Sequence, residues 1–146
     1  MALGIATFGL VAIFGLLPTG LNMNQTSIQQ TAASNIVAGL VADMRQAPTA
    51  DNIAAATAAS KTLLPVSPIY GISLATSATS SSPIYLNESG TVVPGAAARY
   101  QVNITTNTPS ASRAATTAFI QITWPALATP ANAAGSLNVF VALDRN

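Results

Sequence analysis

The chain opens on a run, MALGIATFGLVAIFGLL at residues 1–17, that has no charge and only one polar side chain, Thr7. As a helix this run spans about 26 Å at 1.5 Å per residue, just short of a bilayer's hydrocarbon core. Apolar sequence resumes after Pro18 and reaches Leu21. Small residues (Gly4, Ala6, Gly9, Ala12, Gly15) recur among large ones, and small positions let helix backbones approach closely in apolar surroundings. Three readings compete. A cleaved signal peptide is disfavoured, because there is no basic start and no small-residue cleavage site before polar sequence. A buried helix of a soluble domain is disfavoured, because the run is apolar all round rather than along one stripe. The third is a helix in a membrane or in the core of a filament.

Beyond Pro18 the pattern changes. Residues 22–31, NMNQTSIQQT, are polar yet uncharged. Ala33, Ile36, Val37, Leu40, Val41 and Met44 then recur at i, i+3, i+4 spacing, which predicts an amphipathic helix. Asp43 and Arg45 are expected off that stripe, and Pro48 marks the end. Residues 1–46 therefore read as one long helix, broken or bent near Pro18, where proline removes a backbone hydrogen bond and crowds the preceding turn. Gly15 and Gly20 flank that break.

The Ala-rich stretch 51–64 predicts a short helix N-capped by Asp51 or Thr49. Pro65 and Pro68 predict extended chain, and the Ser/Thr-rich stretch 73–82 a loop. Strand patterns follow. Residues 84–86 and 91–93 flank Gly90 as a hairpin. Over 99–106, Tyr100, Val102 and Ile104 share one face; over 116–124, Ala118, Ile120 and Ile122 do; over 137–143, Leu137, Val139, Val141 and Leu143 do. Turn-rich stretches around Pro109 and Pro130 separate these strands. The expected fold is α+β: the long helix, bent or melted near Pro18, packed on a small antiparallel sheet. The expected division is a helix over 1–47 (apolar over 1–21, amphipathic over 22–47) and a β-rich domain over 48–146.

Composition narrows the function. Of 146 residues, 50% are hydrophobic and only 6% charged, against roughly 25% charged in ordinary soluble domains. One domain with a sizeable core fits that length. A polar but uncharged surface suits packing against identical copies, and also suits attached sugar. Net charge is +1, with Arg45, Lys61, Arg99, Arg113 and Arg145 scattered, so the clustered positive charge that nucleic acid requires is missing. The chain has no Cys and no His, which removes thiolate and His–metal sites and the usual general base. Asp43, Asp51, Glu88 and Asp144 are isolated from one another, and no phosphate-binding glycine loop occurs. An enzyme is not expected, nor a cofactor or metal. Lys61 reads as a solvated helix residue rather than the activator of a Ser nucleophile. Trp124 reads as a core or strand-edge anchor rather than a ligand platform. Asp144 and Arg145 read either as solvated or as an ion pair to a neighbouring subunit.

Asn24, Asn87 and Asn103 open N-x-Ser/Thr patterns, with Asn87 at an expected loop tip. Thr79, Ser80 and Ser81, in the hydroxyl-rich loop, are the O-glycosylation candidates. Both sets are weak signals in a Ser/Thr-rich chain.

The order of these features (apolar N-terminal helix, a proline about two thirds along it, amphipathic continuation, β-sheet domain) resembles type IV pilins and the pseudopilins of type II secretion. MALGIATFGLVAIFGLLPTGLN, followed by NQTSIQQTAASNIVAGLVADMR, is similar to the prepilin-like family called Verru_Chthon cassette protein B, and WPALATPANAAGSLNVFVALDRN resembles that family's C-terminal strand pair. The resemblance covers both ends of the chain. It implies a leader cut by a prepilin peptidase, methylation of the new N-terminus, and a Glu near the mature start that neutralises a neighbour's amine. Neither a Phe start nor that Glu stands here: residues 1–4 correspond to positions inside the mature helix, so either residues precede Met1 or this chain departs from the pattern. Pro18 matches the helix-breaking proline, with Gly15 and Gly20 easing local melting.

The expected function is then a structural subunit of an extracellular, pilus-like filament at the cell surface, reached through a membrane-inserted precursor. Its partners would be copies of itself and, during biogenesis, inner-membrane assembly machinery. Leu3, Ile5, Phe8, Leu10, Val11, Ile13, Phe14, Leu16 and Leu17 would form the assembly helix. Two alternatives share the sequence: a minor pseudopilin of a secretion apparatus, and a membrane-anchored carbohydrate-binding module contacting sugar through Trp124, Tyr70, Tyr85 and Tyr100.

Overall fold

The computed structural model describes residues 2–48, 58–59, 66–74, 78–79, 82–107 and 115–143; the side chains of 2–13, 16–19 and 78–79 are outside that description. A long helix, α1, runs Ala2–Gln46. Five strands follow among the described residues: β1 Ala78–Thr79, β2 Ile84–Leu86, β3 Tyr100–Asn107, β4 Thr116–Trp124 and β5 Gly135–Leu143. The arrangement is α+β, a long helix packed on an antiparallel sheet. The chain divides into two compact units, Met1–Ala32 and Ala33–Asn146. The second therefore includes the last turns of α1, which begin at Ala33, the first buried side chain among the described residues.

Helix α1 is one helical run through Pro18, so the single chain is not melted there. One proline removes one i to i−4 bond, and the helix continues on either side of that gap.

In the second unit Ala33, Ile36, Val37, Leu40 and Met44 are buried with the sheet's inner face, as the i, i+3, i+4 spacing predicts; Val41 is half-buried. Asp43 departs from expectation, being 1% exposed. The geometry explains it: Ile36, Leu40, Asp43 and Ala47 form one continuous line of i+4, i+3, i+4 steps, so position 43 lies on the stripe rather than beside it. Arg45 is exposed, as expected, in the last helical turn, where a cation complements the helix dipole.

The sheet runs β1-β3-β4-β5, with β2 also on β3. β1 and β2 share one side of β3 at different heights, β1 opposite Thr105 and Thr106 and β2 opposite residues 100–102. The sheet is thus four strand positions wide, as the alternating patterns predict. Tyr100, Val102, Ile104, Ala118, Ile120 and Ile122 form the buried inner face, each burial contributing roughly 1.5–3 kcal/mol for the larger apolar side chains.

Three loop expectations change. Residues 91–93 form no strand; Val92 makes one bridge to Leu86, although Gly90, at φ 79°, does turn the chain as expected. Ala78 and Thr79, within the expected Ser/Thr loop, pair with β3. Pro68 starts a tight turn rather than extended chain. Ser67 N–H donates to the Ile72 carbonyl at 2.9 Å, and Gly71 N–H, with φ 66° at its own Cα, donates to the Ser67 carbonyl at 3.1 Å. Proline fits the early position of such a turn because its φ is already set. The expected helix over 51–64 and the turn around Pro109 lie outside the described residues, apart from residues 58–59.

Trp124, 5% exposed, packs edge-on against Tyr100 with centroids 6.0 Å apart, and precedes a cis peptide bond to Pro125. Its ladder partner across the strand is Gly135, and a side chain there would overlap the indole ring. The indole lies flat over the space a Cβ would need.

Candidate functional site

The first charged side chain of the molecule is Asp43; residues 1–42 hold none. All of them from Ala2 on are helical. At 1.5 Å per residue that uncharged stretch is about 60 Å long, roughly twice a bilayer's hydrocarbon core. Every residue from Gly20 to Ile28 is exposed, among them Leu21, Met23 and Ile28. Phe14 is 64% exposed. A Cβ added at Gly15 or Gly20 would meet nothing within 4 Å. The surface of α1 from Gly20 to Ile28 is therefore bare, uncharged and partly apolar.

Three hydroxyls at and just beyond this surface are satisfied within the helix. Thr26 donates to the Asn22 carbonyl at 2.9 Å, Ser27 to Met23 at 3.0 Å and Thr31 to Ser27 at 2.8 Å. A hydroxyl bonded one turn back has its donor satisfied, so these three side chains can be covered by other helices without stranding it, whereas the amides of Asn22, Asn24 and Gln25 would need partners across the contact.

Of the expected assembly residues, Leu3, Ile5, Phe8, Leu10, Val11, Ile13, Leu16 and Leu17 lie on the helical backbone with side chains outside the description; Phe14 is placed, and exposed. Among the described residues, no helix is long and apolar enough to cross a membrane, a statement that does not extend to the side chains of 2–13 and 16–19.

Two of the four expected sugar contacts lie in the core. Trp124 and Tyr100 are core residues, Tyr100 being 1% exposed. Tyr70 is half-buried, and its hydroxyl donates to the Gly90 carbonyl at 3.0 Å. Tyr85 is half-buried beside Gly95. The exposed aromatic rings among the described residues are Phe14, Phe119 and Phe140. Phe119 and Phe140 stand directly opposite one another on β4 and β5. Each is the outward member of its alternating strand, which is the signal that identifies it in the sequence.

Asn87 sits in the Gly90 turn, and its Oδ1 accepts from Ser89 N–H at 3.1 Å, Ser89 Oγ at 2.8 Å and Thr91 N–H at 2.9 Å. Its carbonyl end builds the turn. Ser80 and Ser81 lie outside the described residues; Thr79 is paired to Thr105 in the sheet. Asn24 is exposed on α1 and Asn103 lies on the outer face of β3.

The buried carboxylate of Asp43 accepts from Ile69 N–H at 2.9 Å and Tyr70 N–H at 3.0 Å. It clasps the 66–73 turn to the helix. Burial, and then the charge of Asp43, hold the Tyr70 phenol above its ordinary range. Burial raises Tyr100 as well, with Glu88 adding to the effect and Arg99 opposing it. Arg99 and Glu88 meet at 3.4 Å in an exposed pair. Among the described residues no three carboxylates gather as a metal site. No family model, no curated protein and no solved structure matches this chain.

Proposed function

We propose that this chain is a structural, non-enzymatic subunit of a type IV pilus-like extracellular filament, in which copies associate through the N-terminal half of α1. The observation that carries this reading is the uncharged helical stretch ahead of Asp43, bare from Gly20 to Ile28, with the hydroxyls of Thr26, Ser27 and Thr31 bonded to its own backbone. A helix core made of many copies would bring any charge against its own kind in an apolar setting, where an unpaired ion costs several kcal/mol. This stretch brings none. Apolar side chains on it gain little by leaving lipid, so close packing at Gly4, Gly9, Gly15 and Gly20 supplies the preference for neighbouring helices. The sheet then forms the outer wall, and its nearly neutral surface avoids repulsion between copies.

The test is electron cryo-microscopy of material sheared from cells that make the protein, with wild type beside Phe14→Asp. Wild type should give filaments with α1 at the centre. The variant should give none while its sheet keeps its circular dichroism, because Phe14 is outside the second unit. Normal filaments from Phe14→Asp would contradict the assembly role. Absence of filaments from wild type, with the protein held in the membrane fraction, would favour a minor pseudopilin.

A further inference from the structure

We propose that the free edge of β5 is a self-pairing site, where Gly135–Leu143 adds antiparallel to the same strand of a second copy about a two-fold axis at Val139. This contact lies in the sheet and does not depend on the helix reading above.

The strand path ends at β5, and among the described residues nothing pairs with its outer edge. Its nine residues match β4 one to one without a bulge, so the edge is long and regular. Exposed edges are ordinarily blunted by Lys, Pro, inward charges, bulges or shortness. The sequence GSLNVFVAL contains no charged residue and no proline.

The apolar layer also runs out past the edge. On the inner face, Val102, Ile104, Ile120 and Ile122 are fully buried, whereas Leu137, Val139 and Val141 of β5 are only half-buried. On the outer face Phe140 is 69% exposed beside Phe119. An added strand would extend both layers while satisfying alternate N–H and C=O groups along the edge.

The strand is its own complement. Turned antiparallel about Val139, Leu137 meets Val141, Gly135 meets Leu143, Ser136 meets Ala142 and Asn138 meets Phe140, so inward apolar positions face inward apolar positions throughout. Neither β4 nor β5 carries a charge, so two copies approach without repulsion. A foreign strand would require no such symmetry about its centre.

The chain has no cysteine, so introduced thiols report single positions. Full-length Asn138→Cys and Phe140→Cys chains, distinguished by a mass tag, would be mixed in detergent micelles and oxidised. Positions 138 and 140 are predicted to face each other at about 5 Å between Cβ atoms, whereas 138 with 138 is a diagonal pair at about 7–8 Å. The expected product is the mixed disulfide, at roughly fivefold or more over either self-linked form and over a Thr105→Cys control on β3. In a second arm, native chains are compared with Asn138→Lys/Phe140→Lys, which sets Lys against Lys, and Asn138→Lys/Phe140→Glu, which sets Lys against Glu. Dimer fraction should fall roughly fivefold in the first and return in the second. Linking no better than at Thr105, or equal dimer fractions for the two charged variants, would overturn the proposal. A Phe14→Cys chain, linked in parallel, reads helix association separately, so the two readings fail independently.

Discussion

At the scale of single residues, Gly135 fits closely under Trp124, more closely than the other described glycines fit their neighbours. The indole occupies the space that any side chain at 135 would need. Gly135→Ala should therefore displace Trp124 from its edge-on contact with Tyr100. The expected cost is about 1–3 kcal/mol, the usual range for overpacking a well-filled core. Thermal unfolding would measure the loss, and the emission of Trp124, the molecule's one tryptophan, would shift toward that of a solvated indole. Thr123 is a second residue that departs from strand alternation. It is fully buried on the outward side of β4, and its Oγ1 has no hydrogen-bond partner among the described residues.

At the scale of elements, α1 and the 66–73 turn are joined by one carboxylate. Asp43 stands in the last helical turn, where the helix dipole disfavours a negative charge. Two backbone N–H donors from Ile69 and Tyr70 offset that cost. Asp43→Ala would strand both donors and free the turn from the helix. The expected destabilisation is about 2 kcal/mol, as for hydrogen bonds to a charged group. Hydrogen exchange at the amides of Ile69 and Tyr70 should accelerate, while exchange in β3 and β4 changes less; unchanged protection at those two amides would refute the clasp. Neither half of this contact is read correctly from the sequence: its patterns set Asp43 off the helical stripe and Pro68 in extended chain, whereas the folded chain buries the carboxylate and turns at 68–70. That the turn's donors lie 26 and 27 residues away from the acceptor, and point at it, is visible only when the chain is folded.

For the whole molecule, few charges leave few titrations that matter near neutrality, and the alkaline limb becomes informative. The phenols of Tyr70 and Tyr100 are both held above the ordinary 10.0 in the folded state, mainly by burial. Above pH 10 the unfolded chain loses those protons first, so it binds fewer protons than the native state and stability falls with rising pH. The contribution is complete below the ordinary phenol range and is lost as pH rises through the folded values. Chemical denaturation from pH 8 to pH 11 should give a flat profile and then a decline. Tyr70→Phe/Tyr100→Phe should flatten that decline; an equally steep decline in the double variant would place its origin elsewhere.

The amino-acid sequence by itself determined the helix, the long strands and which of their faces turn inward, because periodicity is a local property that each segment carries in its own residues. Residues 116–124 are assigned as a strand from their alternation, and β4 has those bounds. The helical stripe from Ala33 to Met44 is likewise legible. Tertiary structure alone decided what depends on which segments meet: the carboxylate under the turn, the indole across Gly135, the reduction of Val92 to a single bridge, and the position of β5 at the sheet's edge. Strand order decides the last, since a half-buried Val139 has the same sequence signature as a fully buried one and differs in having, among the described residues, no strand beyond it.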